Sequence, residues 1–281
     1  MVQLIADSGS TKTDWRLASG SIVLRQFQTE GYNPYHMDAE RISDSMRKYV
    51  LAEIGDEVPQ AIHFYGAGCG GEEKAVVVKN ALLQLFPNAE VNVNSDMLGA
   101  ARALCQRNAG MAAILGTGSN SCLYNGESIL DNRPALGYML GDEGSGAHIG
   151  MALVRLFMYD EMEAGLRERF LKRFPLTVAD ILNQVYRQPL PNRFLAGFSK
   201  FVYQNIEHQQ CIEIVVSSFR AFFKHHILRY ENALQLPLHV TGSVGFYYSN
   251  LLRRVAEEQG IALGTVTETP IAGITVYHTG E

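Results

Sequence analysis

Two glycine-and-hydroxyl loops constrain this chain more than any other feature: Asp7-Ser8-Gly9-Ser10-Thr11-Lys12-Thr13 and Gly116-Thr117-Gly118-Ser119-Asn120-Ser121. Each follows a short apolar run, Val2–Ala6 or Met111–Leu115, that reads as a buried strand. A phosphate needs several converging N–H donors, and only residues without a bulky Cβ let the main chain come close enough to supply them. Ser and Thr hydroxyls add donors that rotate, and Asp7 offers a carboxylate for a magnesium ion. Either loop alone reads equally well as a strand followed by a hairpin turn. The pair points to two fingers on one polyphosphate. A third loop, Thr241-Gly242-Ser243-Val244-Gly245, follows the strand-like run Leu236–Val240 and is placed to approach an adenosine.

With 281 residues, 47% of them hydrophobic, the chain is ample for two cores. A formal net charge of -5 and the absence of any Lys/Arg run argue against a nucleic-acid partner. The N-terminus enters a strand at once, without a signal-peptide core, and no apolar stretch is long enough for a bilayer. A cytoplasmic protein acting on small molecules, with no membrane partner, is expected. Cys69, Cys105, Cys122 and Cys211 show no Cys-x-x-Cys or Cys/His spacing, which fits reduced thiols and no structural metal.

Short apolar runs alternate with helical patterns in the first third, so the fold class is α/β. Ile62–Tyr65 and Ala89–Val93 read as strands around a helix over Glu72–Phe86, whose Val78, Ala81, Leu82, Leu85 and Phe86 share a face. Leu98–Leu104 reads as a further helix. The turn at Arg107–Gly110 places a boundary between a first domain, 1–108, and a second, 109–269. The second opens with the same strand-and-turn design, which suggests two structurally similar halves. It then becomes richer in helix: Ile149–Tyr159, Val178–Tyr186, Phe194–Ile206, a long stretch from Ile212 to Leu234, and a helix beginning near Tyr248. Val215, Val216, Phe219, Phe222 and Phe223 form a core stripe, and His225 and His226 are assigned no role. Asp96 stands at a strand-to-helix junction, where an aspartate often serves as an N-cap.

The order Asp-x-Gly-x-Thr-x-Thr, Gly-Thr-Gly-Ser, Gly-Ser-Val-Gly resembles the superfamily of actin-like sugar kinases, Hsp70 and actin. More narrowly, Asp7–Trp15, Leu115–Ser121 and Gly137–Gly150 resemble the N-acetylglucosamine kinase branch of the BadF/BadG/BcrA/BcrD type ATPases. The resemblance implies two actin-like, ribonuclease H-like domains with ATP and a sugar in the cleft between them. It further implies a C-terminal segment, 270–281, that rejoins the first domain. Asp7, Gly9, Ser10, Thr11, Lys12, Thr13, Gly116, Thr117, Gly118 and Ser119 would serve ATP and its Mg2+, with Asp7 at the metal. Gly242, Ser243 and Val244 would serve the nucleoside. Asp96 becomes the base that takes the proton of the sugar hydroxyl, and Asn33, Gly66, Gly68, Asp96, Tyr138 and Asp142 become sugar-binding positions. Tyr138 stands where the branch usually has tryptophan, and Ser8 and Ser10 where it has more glycine. The substrate implied is an amino sugar, with N-acetylglucosamine ahead of N-acetylmuramic acid, N-acetylmannosamine and glucosamine; a homodimer is usual among similar kinases.

Three rival readings remain. An activator ATPase of this fold would carry a cysteine in the Gly137–Gly150 turn, which has none. A nucleotide or sugar sensor would not need the full set of carboxylates. Gly66-x-Gly68-x-x-Gly71 with Glu90 formally matches a dinucleotide fingerprint of an NAD-dependent oxidoreductase, yet Glu72-Glu73 sit where the pyrophosphate would lie.

Overall fold

The computed structural model describes residues 1–9 and 11–280, so Ser10 of the first loop lies outside the described residues. The chain divides into two compact units, one of Met1–Asn108, Tyr124–Ile129 and Thr269–Glu281, the other of Ala109–Leu123 and Leu130–Glu268.

The first unit is built on β1 (Val2–Ser8), whose Leu4, Ile5 and Ala6 are wholly buried, the pattern of a strand covered on both faces. It pairs antiparallel with β2 (Lys12–Ser19), which pairs antiparallel with β3 (Ile22–Glu30). The first glycine loop is therefore a hairpin turn, so the hairpin and phosphate-loop readings describe one object. Helix α1 (Ala39–Ile54) starts at Asp38, whose carboxylate accepts from the Arg41 N–H at 2.9 Å. Strand β4 (Ala61–Gly66) lies parallel to β1, and β5 (Glu90–Ser95) parallel to β4, with α2 (Glu72–Leu85) between them in sequence. Helix α3 (Asp96–Cys105) follows without a gap, and its N-cap is Ser95, whose Oγ accepts from the Leu98 N–H. Asp96 is thus the first helical residue rather than the cap. The sheet order is β3-β2-β1-β4-β5.

The second unit repeats the plan. Strands β6 (Gly110–Leu115), β7 (Ser119–Tyr124) and β8 (Ile129–Asp131) come first. A helical stretch follows: α4 (Gly146–Met158), α5 (Ala164–Arg173), α6 (Val178–Tyr186), α7 (Pro191–Gly197), α8 (Ser199–Gln204) and α9 (Gln209–His225). Strand β9 (Leu238–Thr241) leads through α10 (Ser243–Tyr247) and α11 (Ser249–Glu258) to β10 (Leu263–Thr267). The order β8-β7-β6-β9-β10 matches the first sheet strand for strand, which is the internal similarity that the two glycine turns suggested.

Two helical expectations are corrected. Phe194–Ile206 is two helices, because the chain tightens at Phe198, whose N–H bonds Leu195 O at 3.1 Å, to put that ring against Phe170 and Phe174. The stretch Ile212–Leu234 is helical only to His225; short 3-10 turns at Ile227–Arg229 and Ala233–Gln235 follow, the latter entered through Asn232 at φ +56°. The helix expected near Tyr248 is α11, with Tyr248 at its N-cap, and the short α10 precedes it at the last glycine turn. The stripe from Val215 to Phe223 is buried as expected, and so are all four cysteines, which are free thiols. No helix among the described residues is long and apolar enough to cross a membrane.

The final helix, α12 (Ile271–Thr279), belongs to the first unit and packs on α3 so closely that a Cβ on Gly273 would fall 2.3 Å from Ala103 O. Its His278 stacks on His63, with ring centroids 3.6 Å apart. Tyr65 Oη accepts from Arg102 at 2.8 Å and lies 2.7 Å from His278 Nε2, to which it gives its own proton in the tautomer that leaves that nitrogen bare. Burial, helped by His63, Arg102 and Arg107, pushes the His278 pKa down to about 3. The unfolded chain binds that proton more readily, so this contribution is complete above about pH 6.5 and is lost as pH falls toward 3. Protection factors of the α12 amides, exchange rates divided into the intrinsic rate at each pH, should fall over that interval in wild type and lose most of this acid dependence in His278→Phe.

Candidate active site

In each unit the candidate residues gather at the carboxyl ends of the parallel strands, the edge where open α/β sheets bind ligands. Register brings Ser8, Gly66 and Ser95 abreast at the ends of β1, β4 and β5. Asp7 and Asp96 flank that row. Burial, then the charges of Asp96 and Asp14, raise the Asp7 pKa to about 7, with Lys12 opposing. Burial also raises Asp96, against a hydrogen bond from the Met97 N–H to its Oδ1 at 2.9 Å. Like charges held together in a partly dry place are a site that gains from a cation. No group of three or more ligating side chains forms among the described residues. That donor set fits magnesium, which takes one or two carboxylates and keeps waters and phosphate oxygens for the rest of its shell.

Around the first turn, Gly9 donates to Lys12 O at 3.0 Å, Gly31 donates to Thr11 O at 3.1 Å, and Lys12 pairs with Asp14 at 3.0 Å. Gly9, Thr11 and Lys12 are exposed, whereas Thr13 is buried. The Thr13 hydroxyl donates to Glu30 O at 2.9 Å and lies 2.8 Å from Ser8 Oγ, which also accepts from the Tyr32 N–H. Ser8 and Thr13 thus spend their hydroxyls holding the hairpin to the segment after β3. Asn33 and Gly68 meet: a Cβ on Gly68, at φ +83°, would lie 2.6 Å from Asn33 Oδ1, which itself accepts from the Tyr35 N–H. A Cβ on Gly66 would strike the Phe64 ring at 2.6 Å.

In the second unit, the turn Gly116–Gly118 receives the start of α4, with Gly146 N–H to Gly116 O at 2.8 Å and Ala147 N–H to Thr117 O at 3.1 Å. Gly242, at φ +110°, runs so close to β6 that a Cβ would fall 2.4 Å from Leu115 O. These turns open on a cavity of about 420 Å³ lined also by Ser243 and Val244 and by Lys200, Tyr203, Gln204 and Tyr247. The Tyr203 and Tyr247 rings meet edge to face, with centroids 5.6 Å apart. Sequence reading missed these four; the only trace is that Lys200, Tyr203 and Gln204 share one face of α8 at i, i+3 and i+4.

Asp142, 8% exposed and at φ +54°, packs against the second turn, where a Cβ on Gly118 would lie 2.9 Å from its Oδ2. Burial raises its pKa, while hydrogen bonds from the Ser119 and Gly137 amides oppose the rise. Ser119 is itself buried, and its Oγ has no hydrogen-bond partner. Glu143 turns the other way, to His226 Nε2 at 3.2 Å. Tyr138 is half-buried against the core of this unit.

The pressure on Asp7 has a measurable consequence. Its raised pKa means that stability is lost as pH climbs from about 4 through 7, so a neutral amide in its place should be favourable. In chelator at pH 8, Asp7→Asn should melt above wild type, and the difference should shrink at pH 5.

A scan against protein-family models finds no match, and a search of curated proteins finds none either. Solved structures do match. A candidate N-acetylglucosamine kinase from Porphyromonas gingivalis is 46% identical over 98% of both chains, with a TM-score of 0.94. A second protein of the same description, from Chromobacterium violaceum, is 16% identical over 98% of both chains, with a TM-score of 0.69. A ROK family glucokinase from Streptomyces griseus, solved with glucose and AMPPNP, is 15% identical over 99% of this chain and 98% of its own, with a TM-score of 0.59. The latter two share the fold: two mixed five-stranded sheets of the actin-like sugar kinases. With nearly half its residues in common with the first over almost the whole of both chains, this protein belongs to the N-acetylglucosamine kinase family of actin-like sugar kinases.

Proposed function

We propose that the protein transfers the γ-phosphoryl group of ATP to the 6-hydroxyl of an amino sugar, N-acetylglucosamine ahead of its relatives. The observation that carries this reading is the pair of half-buried carboxylates, Asp7 and Asp96, both raised by desolvation at the strand ends of the first unit. Phosphoryl transfer asks the protein for positioning and for charge compensation more than for covalent chemistry. Magnesium at Asp7 would neutralise the phosphates. Asp96 accepts the proton of the sugar hydroxyl, a task for which a carboxylate raised by burial is better matched than an exposed one. With the Gly9 amide given to Lys12 O, Thr11 and Lys12 remain for the phosphates in the first turn; with the Gly116 amide on Gly118 O and the Ser119 amide on Asp142, Thr117, Gly118 and the Ser119 hydroxyl remain in the second. The Ser119 hydroxyl, buried and unpartnered, supports that assignment.

The adenosine goes to the cavity of the second unit, where Tyr203 and Tyr247 supply ring surface and Gly242 lets the backbone approach. Asn33, held against Gly68, and Asp142 serve the sugar hydroxyls.

Two measurements test the reading. Purified protein with ATP and magnesium should release ADP only when an amino sugar is present and should yield its 6-phosphate; sugar-independent hydrolysis would sink the kinase reading. Asp96→Asn should lose about 10²-fold or more in kcat while sugar binding, read by calorimetry, stays close to wild type. Turnover at the wild-type rate in that variant would remove Asp96 from the chemistry.

A further inference from the structure

The loop that carries Asp142 is gripped by one face of α9. Ser218, Phe222 and His226 recur every fourth residue, the spacing that aligns side chains along a helix, and each reaches the loop. Ser218 Oγ accepts from the Gly144 N–H at 3.0 Å. Phe222 lies beneath Gly144, where a Cβ would come within 3.0 Å of the Phe222 Cβ. His226 bonds Glu143 and stacks on the Phe222 ring, with centroids 5.3 Å apart. From α4, His148 Nδ1 meets the same Ser218 Oγ at 2.9 Å. A hydroxyl oxygen has two lone pairs and one proton, enough to receive Gly144 and share a hydrogen with the imidazole.

This grip matters because Asp142 is strained. A residue with a Cβ at φ +54° persists only where its surroundings fix it. The amides of Ser119 and Gly137 fix its carboxylate, and the next two residues are fixed by His226 and Ser218.

We propose that Ser218 is a positioning residue for the sugar: by accepting the Gly144 N–H while tied to His148, it sets the turn that aims the Asp142 carboxylate. The inference rests on the reading of Asp142 as a sugar ligand. Ser218 is 1% exposed and acts through Gly144.

Steady-state kinetics with sugar and ATP varied separately, together with hydrogen exchange at the Gly144 amide, would test it on three variants. Ser218→Ala should raise the sugar KM about tenfold, the order expected when a buried N–H loses its acceptor. Its kcat and ATP KM should stay within about twofold, and Gly144 should exchange faster. Ser218→Cys, with a weaker acceptor, should fall between, and Ser218→Thr, which keeps the oxygen, should recover the wild-type sugar KM. An unchanged sugar KM in Ser218→Ala, or sugar and ATP KM rising together as in a general loss of packing, would overturn the proposal. A wild-type protein that phosphorylates no amino sugar would instead overturn the kinase reading on which the proposal rests.

Discussion

Two close backbone approaches in the second unit hold its glycine turns in place. Gly242 runs against the Leu115 carbonyl, and Gly146 donates to the carbonyl of Gly116. These contacts join the end of β6, the end of β9 and the start of α4. A side chain in the way could swing aside; a backbone carbonyl at 2.4 Å from an added Cβ cannot, because it is tied into a sheet. Gly242 is therefore a position that glycine alone can fill, because the chain behind it leaves no room for a Cβ.

The first unit rests on the opposite kind of constraint, a repulsion left in place. Asp7 and Asp96 would each be more comfortable in water, and each raises the cost of charging the other or is raised by its own burial. Such an arrangement destabilises the protein, and the magnesium of the proposed function would offset it. The unit compensates elsewhere: Ser8, Thr13 and Tyr32 knit the hairpin internally, and α12 braces α3, the helix that begins with Asp96.

Much of this was legible from residues. The strands before both glycine turns, the α2 face, the core stripe of α9 and the two-halved α/β plan all follow from period and turn chemistry, and the family resemblance names the fold. What stayed hidden was decided by tertiary contacts. Nothing local marks Phe198 as a break, since the reason is the aromatic cluster of Phe170 and Phe174. Ser95 rather than Asp96 caps α3, a one-residue choice that side-chain type does not settle. Thr13 reads as a phosphate hydroxyl, yet its oxygen faces Glu30 and Ser8. His226 looked idle because its partner, Glu143, is 83 residues away in sequence. Lys200, Tyr203 and Tyr247 left hardly a trace in the sequence, because a cavity is a property of three elements at once.

The buried thiols carry a practical corollary. Cys69 and Cys105 lie in the first unit, Cys122 and Cys211 in the second, and burial lifts Cys69, Cys105 and Cys211 to about 12, which leaves them inert while the fold is closed. Each half of the molecule thus holds its own matched pair of silent reporters. An alkylating reagent would record which half opens first, and how often, without any engineered label.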